Sequence, residues 1–395
     1  MATAQPALLV AQSGGPTPVM NASLAGVVEQ ANLSGIPRVL GARYGIQGVL
    51  QRDLIDLKAQ PTAVWSRLRR TPSAALGSCR RKLSAEDRQS VLDTLIELQV
   101  RYFLYIGGND SADTAMALDR TARAAGYDLR VVSIPKTIDN DLPGTDHCPG
   151  YGSAARFIAQ STQDAGLDTE AMRLSDPIKL IEVMGRDAGW LVAAATLGKL
   201  DEAHAPHLIC VPERPLDIDA FLGAVESTYR RYGFAVAVVA ETIRDREGRP
   251  LGTANEVLAA DAFGHLNLAG GAATLTALIG RRLGIRARFD KPGTLQRMSM
   301  ALASPVDLDE AYSAGGRAVL YAVEGRSGCM VAFTRAVGGP YHCEMTAVDL
   351  GLVANQQRIL PADFLDSGPF SISPRFQDYA LPLIGGPIEA YPRLL

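Results

Sequence analysis

The sequence predicts an α/β protein organised around parallel β-sheet, and three observations predict it. Short apolar runs alternate with longer amphipathic stretches along most of the chain, the pattern of βα units. Three of those runs end in glycine or proline loops, where a strand hands over to the next element. The chain has 395 residues, too many for one ordinary α/β core and about right for two at roughly 150 residues per domain.

The strands expected from short apolar runs are Ala7–Ala11, Val39–Ala42, Tyr102–Ile106, Val131–Ile134, Ile178–Met184, His207–Val211 and Ala235–Ala240. Longer amphipathic stretches predict helices over Pro18–Asn32, Ala85–Leu98, Ser111–Ala125, Gly150–Gly166 and Gly189–Gly198. Arg326–Thr334 reads as one more strand, and the last sixty residues as mixed loop and short helix. There is no low-complexity tract and no short-period repeat.

Composition excludes several classes. Lys plus Arg is 39 and Asp plus Glu is 42, a net charge of −3. That balance argues against a nucleic-acid coat or a polybasic membrane binder. Hydrophobic residues make up 47% and charged residues 21%, so the chain can bury a large core. Five cysteines, an odd number without CxxC spacing, suggest neither a disulfide framework nor a zinc site and fit a reducing cytoplasm. His204 and His207 form a lone HxxH with no further ligand nearby. The N-terminus lacks a positive leader, Ala7–Ala11 is too short for a signal core, and no run approaches the ~20 apolar residues of a membrane span. A cytoplasmic protein is expected. Glycine is the one excess: 38 of 395 residues, or 9.6%, against about 7% on average.

The glycines matter where strands end. The first such loop is Gln12-Ser13-Gly14-Gly15-Pro16-Thr17-Pro18-Val19-Met20-Asn21. Its paired glycines permit positive φ and let amides approach an anion, while Pro16 or Pro18 suits a first helical turn. It is neither a Walker loop nor the dinucleotide GxGxxG. The second is Ile106-Gly107-Gly108-Asn109-Asp110-Ser111. Either alone is as compatible with a tight turn; two in one parallel sheet point to a shared crevice at the strands' carboxyl ends.

The third loop is Ser133-Ile134-Pro135-Lys136-Thr137-Ile138-Asp139-Asn140-Asp141-Leu142-Pro143-Gly144-Thr145-Asp146. Phosphoryl transfer needs cationic charge on the moving phosphate, an acceptor for the nucleophile's proton, and metal to neutralise the oxygens. In an extended segment Asp139 and Asp141 point to one side, so their repulsion favours one as base and the other on metal. A solvated turn with Asx caps fits Asp-Asn-Asp equally well.

Together Gln12–Asn21, Gly107–Ser111, Pro135–Thr145 and Val183–Gly189 (Val-Met-Gly-Arg-Asp-Ala-Gly) resemble the phosphofructokinase family, collinearly from about residue 7 to at least residue 305. The resemblance implies two Rossmann-like three-layer α/β domains with the active site between them. It implies a phosphoryl-donor domain of 1–140 plus about 297–352 and a sugar-phosphate domain of 141–296 plus about 353–395. The implied reaction phosphorylates the 1-hydroxyl of fructose 6-phosphate with Mg²⁺, in a homo-oligomer (dimer or tetramer) without nucleic-acid or membrane partners.

Position by position, Asp139 matches the family's catalytic base, while Thr137 and Asp141 match residues holding the sugar and the metal-phosphate. Met184, Gly185 and Arg186 match the Met-Gly-Arg turn that contacts the sugar and the transition state. Glu241 resembles the glutamate on sugar hydroxyls, Arg297 the grip on the 6-phosphate, and Arg288 the arginine that a neighbouring subunit lends. On the donor side the resemblance points to Gly15, Arg80, Gly108, Asn109, Asp110 and Lys136, with Asp110 and Asp141 toward metal. Arginine suits phosphate because its planar fork binds two oxygens at once.

Two positions bear on the donor. Where ATP-dependent members carry glycine, this chain has Asp110 and Lys136. A carboxylate at Asp110 fills room that a nucleotide needs and repels its charge. Lys136 puts a cation on the phosphate that leaves. Both together match the pyrophosphate-dependent members, and with six lysines in the chain, one at this loop is pointed. The resemblance implies a readily reversible reaction of glycolysis and gluconeogenesis; the alternatives are an ATP-dependent 6-phosphofructokinase or a non-catalytic regulatory homologue.

The chain also departs from the family. The usual Asp of the second loop is Asn109; Thr294-Leu295 replaces an aromatic or imidazole contact; an arginine ahead of the Met-Gly-Arg turn is Pro177, with Lys179 as a substitute. A looser grip there would admit other sugar phosphates, such as sedoheptulose 7-phosphate.

Overall fold

The computed structural model describes residues 6–252 and 270–393. Among these, 6–151 and 305–358 form one compact unit; 152–252, 270–304 and 359–393 form the other. The first boundary falls at Tyr151 rather than 140, for a physical reason. The intervening segment is bonded into the first unit, with Asp146 N–H on the Phe333 carbonyl (2.8 Å) and Arg358 N–H on the Asp141 carbonyl (2.8 Å).

The first unit is built on a seven-stranded sheet in the order Cys343–Asp349, Cys329–Arg335, Arg130–Pro135, Val100–Gly107, Ala7–Gln12, Arg38–Ala42, Leu54–Asp56. Its five central strands are parallel and both edge strands are antiparallel to their neighbours. Ala7–Gln12 shows why these runs are continuously apolar. Ala7, Leu9 and Ala11 pack into one core, Leu8 and Val10 into the other, so both faces of the strand are covered.

The helices Ala85–Glu97 and Asn109–Ala124 cover one face. Ser84 and Asp87 close a capping box at the first (3.0 and 3.1 Å). Met20–Leu33 and Pro305–Val323 cover the other. These two touch backbone to backbone: a Cβ on Gly26 would overlap the Tyr312 carbonyl, and one on Gly315 that of Ser23.

The second unit carries a four-stranded parallel sheet in the order Leu208–Cys210, Ala235–Ala240, Ile178–Val183, Ala287–Asp290. The helices Ile218–Tyr232 and Gly271–Leu283 pack on it through Phe221, Val225, Leu275 and Ile279. Asp217 caps the first of them at 2.9 and 3.1 Å, and Gly233 in the left-handed region ends it.

Several expectations need correction. The segment expected as loop and short helix contains the strand Cys343–Asp349. Its residues alternate in exposure, so it never forms the continuous apolar run of a central strand. Leu54–Asp56 and Ala287–Asp290 are short edge strands that escape the same criterion. The first helix begins at Met20 after Val19, leaving Pro16 and Pro18 in the loop. All five cysteines are free thiols. Among the described residues no helix is long and apolar enough to cross a membrane.

Candidate active site

In the first unit the three loops meet. Ser13 N–H donates to the Ile106 carbonyl (2.9 Å) and Lys136 N–H to that of Gly107 (3.0 Å), extending the parallel ladder into the loops. Gly14 lies in the left-handed region at φ 78°, where a Cβ would sit 2.9 Å from Lys136 Nζ. The buried lysine thus lays its ammonium on the first glycine loop. Gly107 has ordinary φ but no room, since a Cβ there would overlap Ser111. Close approach, not positive φ, is why that position is glycine.

The segment carrying Arg80 is held on the same loop. Gly14 N–H donates to the Cys79 carbonyl (3.2 Å), and Ser78 Oγ donates to that of Gly14 (2.6 Å). Gln12 accepts from Leu76 N–H (2.9 Å), and Asn21 accepts from Ala75 N–H (2.8 Å) while donating to the Thr71 carbonyl (2.9 Å). Arg80 itself is exposed.

The Lys136–Asp141 loop is not the extended segment expected. Asn140 adopts φ 56°, which removes the argument that Asp139 and Asp141 share a side. Asp139 N–H donates to Thr137 Oγ1 (3.1 Å), and Asn140 Oδ1 accepts from Cys148 N–H (2.9 Å). The segment is a turn, buried rather than solvated, and it gives the two carboxylates different surroundings. Asp141 is buried and accepts from Asn109 Nδ2 at 3.3 Å, whereas Asp139 is half-buried. Asn109 Oδ1 is buried without a hydrogen-bond partner among the described residues. Asp110 stands in the first turn of the helix Asn109–Ala124, which Gly108 precedes as its N-cap.

The second unit assembles a different group. Met184 N–H donates to Gln296 Oε1 (3.2 Å), Arg186 N–H to Glu241 Oε1 (3.2 Å), and Thr242 Oγ1 to the Arg186 carbonyl. Arg186 stands at φ 51° and Gly185 at φ 141°. The Met-Gly-Arg turn, Glu241 and the Gln296-Arg297 pair are thereby joined. Arg297 is half-buried, while Arg288 is exposed and paired with Asp176 (2.8 Å). The ammonium of Lys179 is paired with Asp168 (3.2 Å) and Asp290 (3.0 Å).

Two site-forming residues escaped the sequence reading. Arg358 donates to the Asn140 carbonyl from Nε (3.1 Å) and Nη2 (2.8 Å), and from Nη1 to those of Thr145 (2.7 Å) and Asp146 (2.6 Å). Glu213 accepts from Gly189 N–H (2.8 Å) and Leu360 N–H (2.7 Å), and burial pushes its carboxyl up. Both act on backbone far away in sequence, and no local motif announces that.

Glycine-bordered strand ends, a buried lysine whose ammonium lies over Gly14 and the carboxylates of the same loop mark an α/β phosphotransferase. The chain belongs to the phosphofructokinase family, whose model, described as "Phosphofructokinase", matches residues 7–321. It is 42% identical to the pyrophosphate–fructose 6-phosphate 1-phosphotransferase of Xanthomonas campestris pv. campestris, over 96% of this chain and 91% of that protein. It is 41% identical to the protein of the same name from Methylococcus capsulatus, covering 97% and 92%. A solved pyrophosphate-dependent phosphofructokinase from Nitrosospira multiformis superposes with a TM-score of 0.88 at 36% identity, covering 99% of this chain and 94% of that one.

Proposed function

We propose that this protein transfers a phosphoryl group reversibly from pyrophosphate to the 1-hydroxyl of fructose 6-phosphate, giving fructose 1,6-bisphosphate and phosphate. The observation that carries the donor assignment is Lys136, buried with its ammonium over Gly14. Asp110, in the first turn of the neighbouring helix, repels the further charge a nucleotide would bring. The relatives named for pyrophosphate support the same donor.

In this reading Asp139 takes the proton of the sugar hydroxyl as its oxygen attacks phosphorus. The bridging P–O bond of pyrophosphate breaks, and Lys136, with amides of the Gly14-Gly15 and Gly108 loops and Arg80, carries the charge on the leaving phosphate. Thr137, the Met184–Arg186 turn and Glu241 orient the sugar, Arg186 also facing the transferring group. Arg297 holds the 6-phosphate, joined by Arg288 of a second copy, which makes a homo-oligomer of two or four chains the working unit.

A divalent metal fits the residues present, because Asn109 Oδ1 is an orphaned buried oxygen on the side chain that bonds Asp141. Asp141, Asn109 and Asp110 would hold Mg²⁺, which when bound supplies neutralisation of phosphate oxygens.

The deciding experiment measures fructose 1,6-bisphosphate formation with pyrophosphate or ATP at equal Mg²⁺. Turnover with pyrophosphate and not ATP is expected; ATP-driven turnover without pyrophosphate activity overturns the reading. The joint change Asp110→Gly with Lys136→Gly should raise ATP use, and no gain refutes the account of how ATP is excluded.

A further inference from the structure

Beside the loop 135–145 the first unit holds a buried ionic cluster to which the reaction above assigns no part. His147 is 2% exposed, with Nδ1 2.9 Å from Asp146 Oδ2 and Nε2 2.7 Å from Glu310 Oε2. Its ring stacks on Phe333 at 4.7 Å. Arg335 pairs with Asp146 (2.9 Å), Tyr341 donates to the other Glu310 oxygen (2.7 Å), and Cys343 Sγ donates to the Tyr341 hydroxyl (3.4 Å). Two carboxylates face one guanidinium and one imidazole, so the charges balance only when His147 carries both protons.

The neighbours of His147 in sequence are wired to the phosphoryl-transfer loop. Thr145 Oγ1 donates to the His147 carbonyl (2.9 Å) and accepts from Phe333 N–H (2.8 Å). Arg358 spans from the carbonyls of Thr145 and Asp146 to that of Asn140, and Cys148 N–H bonds Asn140 Oδ1. Asn140 is the residue between Asp139 and Asp141. Residues 145, 146 and 148 therefore all reach it, and His147 sits at their centre.

We propose that His147 is a positioning residue for phosphoryl transfer: clamped between Asp146 and Glu310, it fixes the loop bearing Lys136, Thr137, Asp139 and Asp141 to the helix Pro305–Val323. This rests on the phosphotransferase reading above. The ligand atoms of Asp146, His147 and Cys343 lie within 4.8 Å of one another, a spacing that would also suit a metal. Arg335 on Asp146 and a carboxylate on each ring nitrogen already occupy those atoms, which makes the group an ion-pair network.

Charge on His147 follows from the same contacts. Burial alone would push the imidazole toward neutrality, and Asp146, Cys343 and Glu310 outweigh it, holding its pKa well above 6.5. The groups facing it are Asp146 on its own segment, Glu310 on the helix, and Arg335, Tyr341 and Cys343 from the strands and their connection.

The test uses the full chain with His147→Gln, which keeps a polar side chain and removes the charge. Per folded molecule, kcat should fall about tenfold to a hundredfold, the scale of a small misplacement of reacting groups, with KM for fructose 6-phosphate unchanged. Amides of Asp139 and Cys148 should exchange with deuterium at least tenfold faster, while those of Ala7–Gln12 hold. Unchanged kcat and exchange in a folded His147→Gln protein overturn the proposal. Should that variant not fold, Glu310→Gln, which retains the imidazole and Asp146, decides by the same two readouts. Stoichiometric zinc in the purified wild-type protein also overturns it. The exchange arm needs no substrate, so it still decides if the wild-type chain shows no pyrophosphate turnover, an outcome that sinks the functional reading instead.

Discussion

The loop cluster of the seven-stranded unit and the turn cluster of the four-stranded unit are held by different means. In the first, backbone is tied to backbone and to buried side chains. Lys136, Thr137 and Asp141 are each less than a tenth exposed, and Arg358 alone binds three carbonyls of the loop. In the second, the side chains of Gln296, Glu241 and Thr242 hold one turn, and Glu241 and Arg297 are half-buried. The difference matches the tasks proposed for them. A small symmetric anion is suited to fixed amides and one ammonium, whereas a sugar phosphate, with hydroxyls and a distant phosphate, is suited to side chains that reach out from one turn.

The largest effect is expected at Asp139. Asp139→Ser should lower kcat by about 10²–10⁴-fold with binding of fructose 6-phosphate retained, as read by steady-state kinetics and calorimetry. Unchanged turnover refutes its role as base. Next in size, Arg358→Ala leaves buried carbonyls of Asn140, Thr145 and Asp146 without their donor. It should cost about 3 kcal/mol in urea unfolding, and a loss no larger than that of a surface arginine refutes the role of Arg358 in holding the loop. On the side-chain-read cluster, Arg297→Lys keeps charge but not the fork. KM for fructose 6-phosphate should rise about tenfold with kcat held; a fall in kcat alone would move Arg297 from substrate binding to chemistry.

The smallest effect is on pH dependence. His147 has its pKa raised, so its contribution to stability is complete below about 6.5 and lost as pH climbs through the raised value. For Asp146, burial pushes the pKa up, but His147 and Arg335 outweigh it and hold it below 3.8. Its contribution is present above that value and lost as pH falls through the lowered one. Urea midpoints across pH should therefore decline at both ends in the wild type. In His147→Gln the alkaline part of that decline should be absent.

The central strands were legible because Ala7–Gln12, Val100–Gly107 and Arg130–Pro135 are covered on both faces and thus apolar throughout. The glycine loops were legible because Gly14 stands at positive φ and Gly107 has no room for a Cβ beside Ser111. Arg358 was not legible: it reaches Asn140 across 218 positions of chain, and nothing local marks it among 33 arginines. The turn at Asn140 was half-legible. Asp-Asn-Asp announced a turn, but only the fold shows Asn140 Oδ1 holding Cys148 N–H and Asp141 buried where Asp139 is half-buried.

The glycine contact between Met20–Leu33 and Pro305–Val323 has a consequence for how the chain comes together. The first 151 residues hold five of the seven strands of their own sheet. The strand Cys329–Arg335 and the helix that seats against Gly26 are synthesised only after most of the second unit. An emerging chain therefore holds open a cleft lined by Val27, Leu104, Val132 and Ile134 until residue 335 has left the ribosome. The second unit is an interruption written into the first, and a chain truncated near residue 300 should bind a hydrophobic dye and aggregate rather than yield a folded N-terminal half.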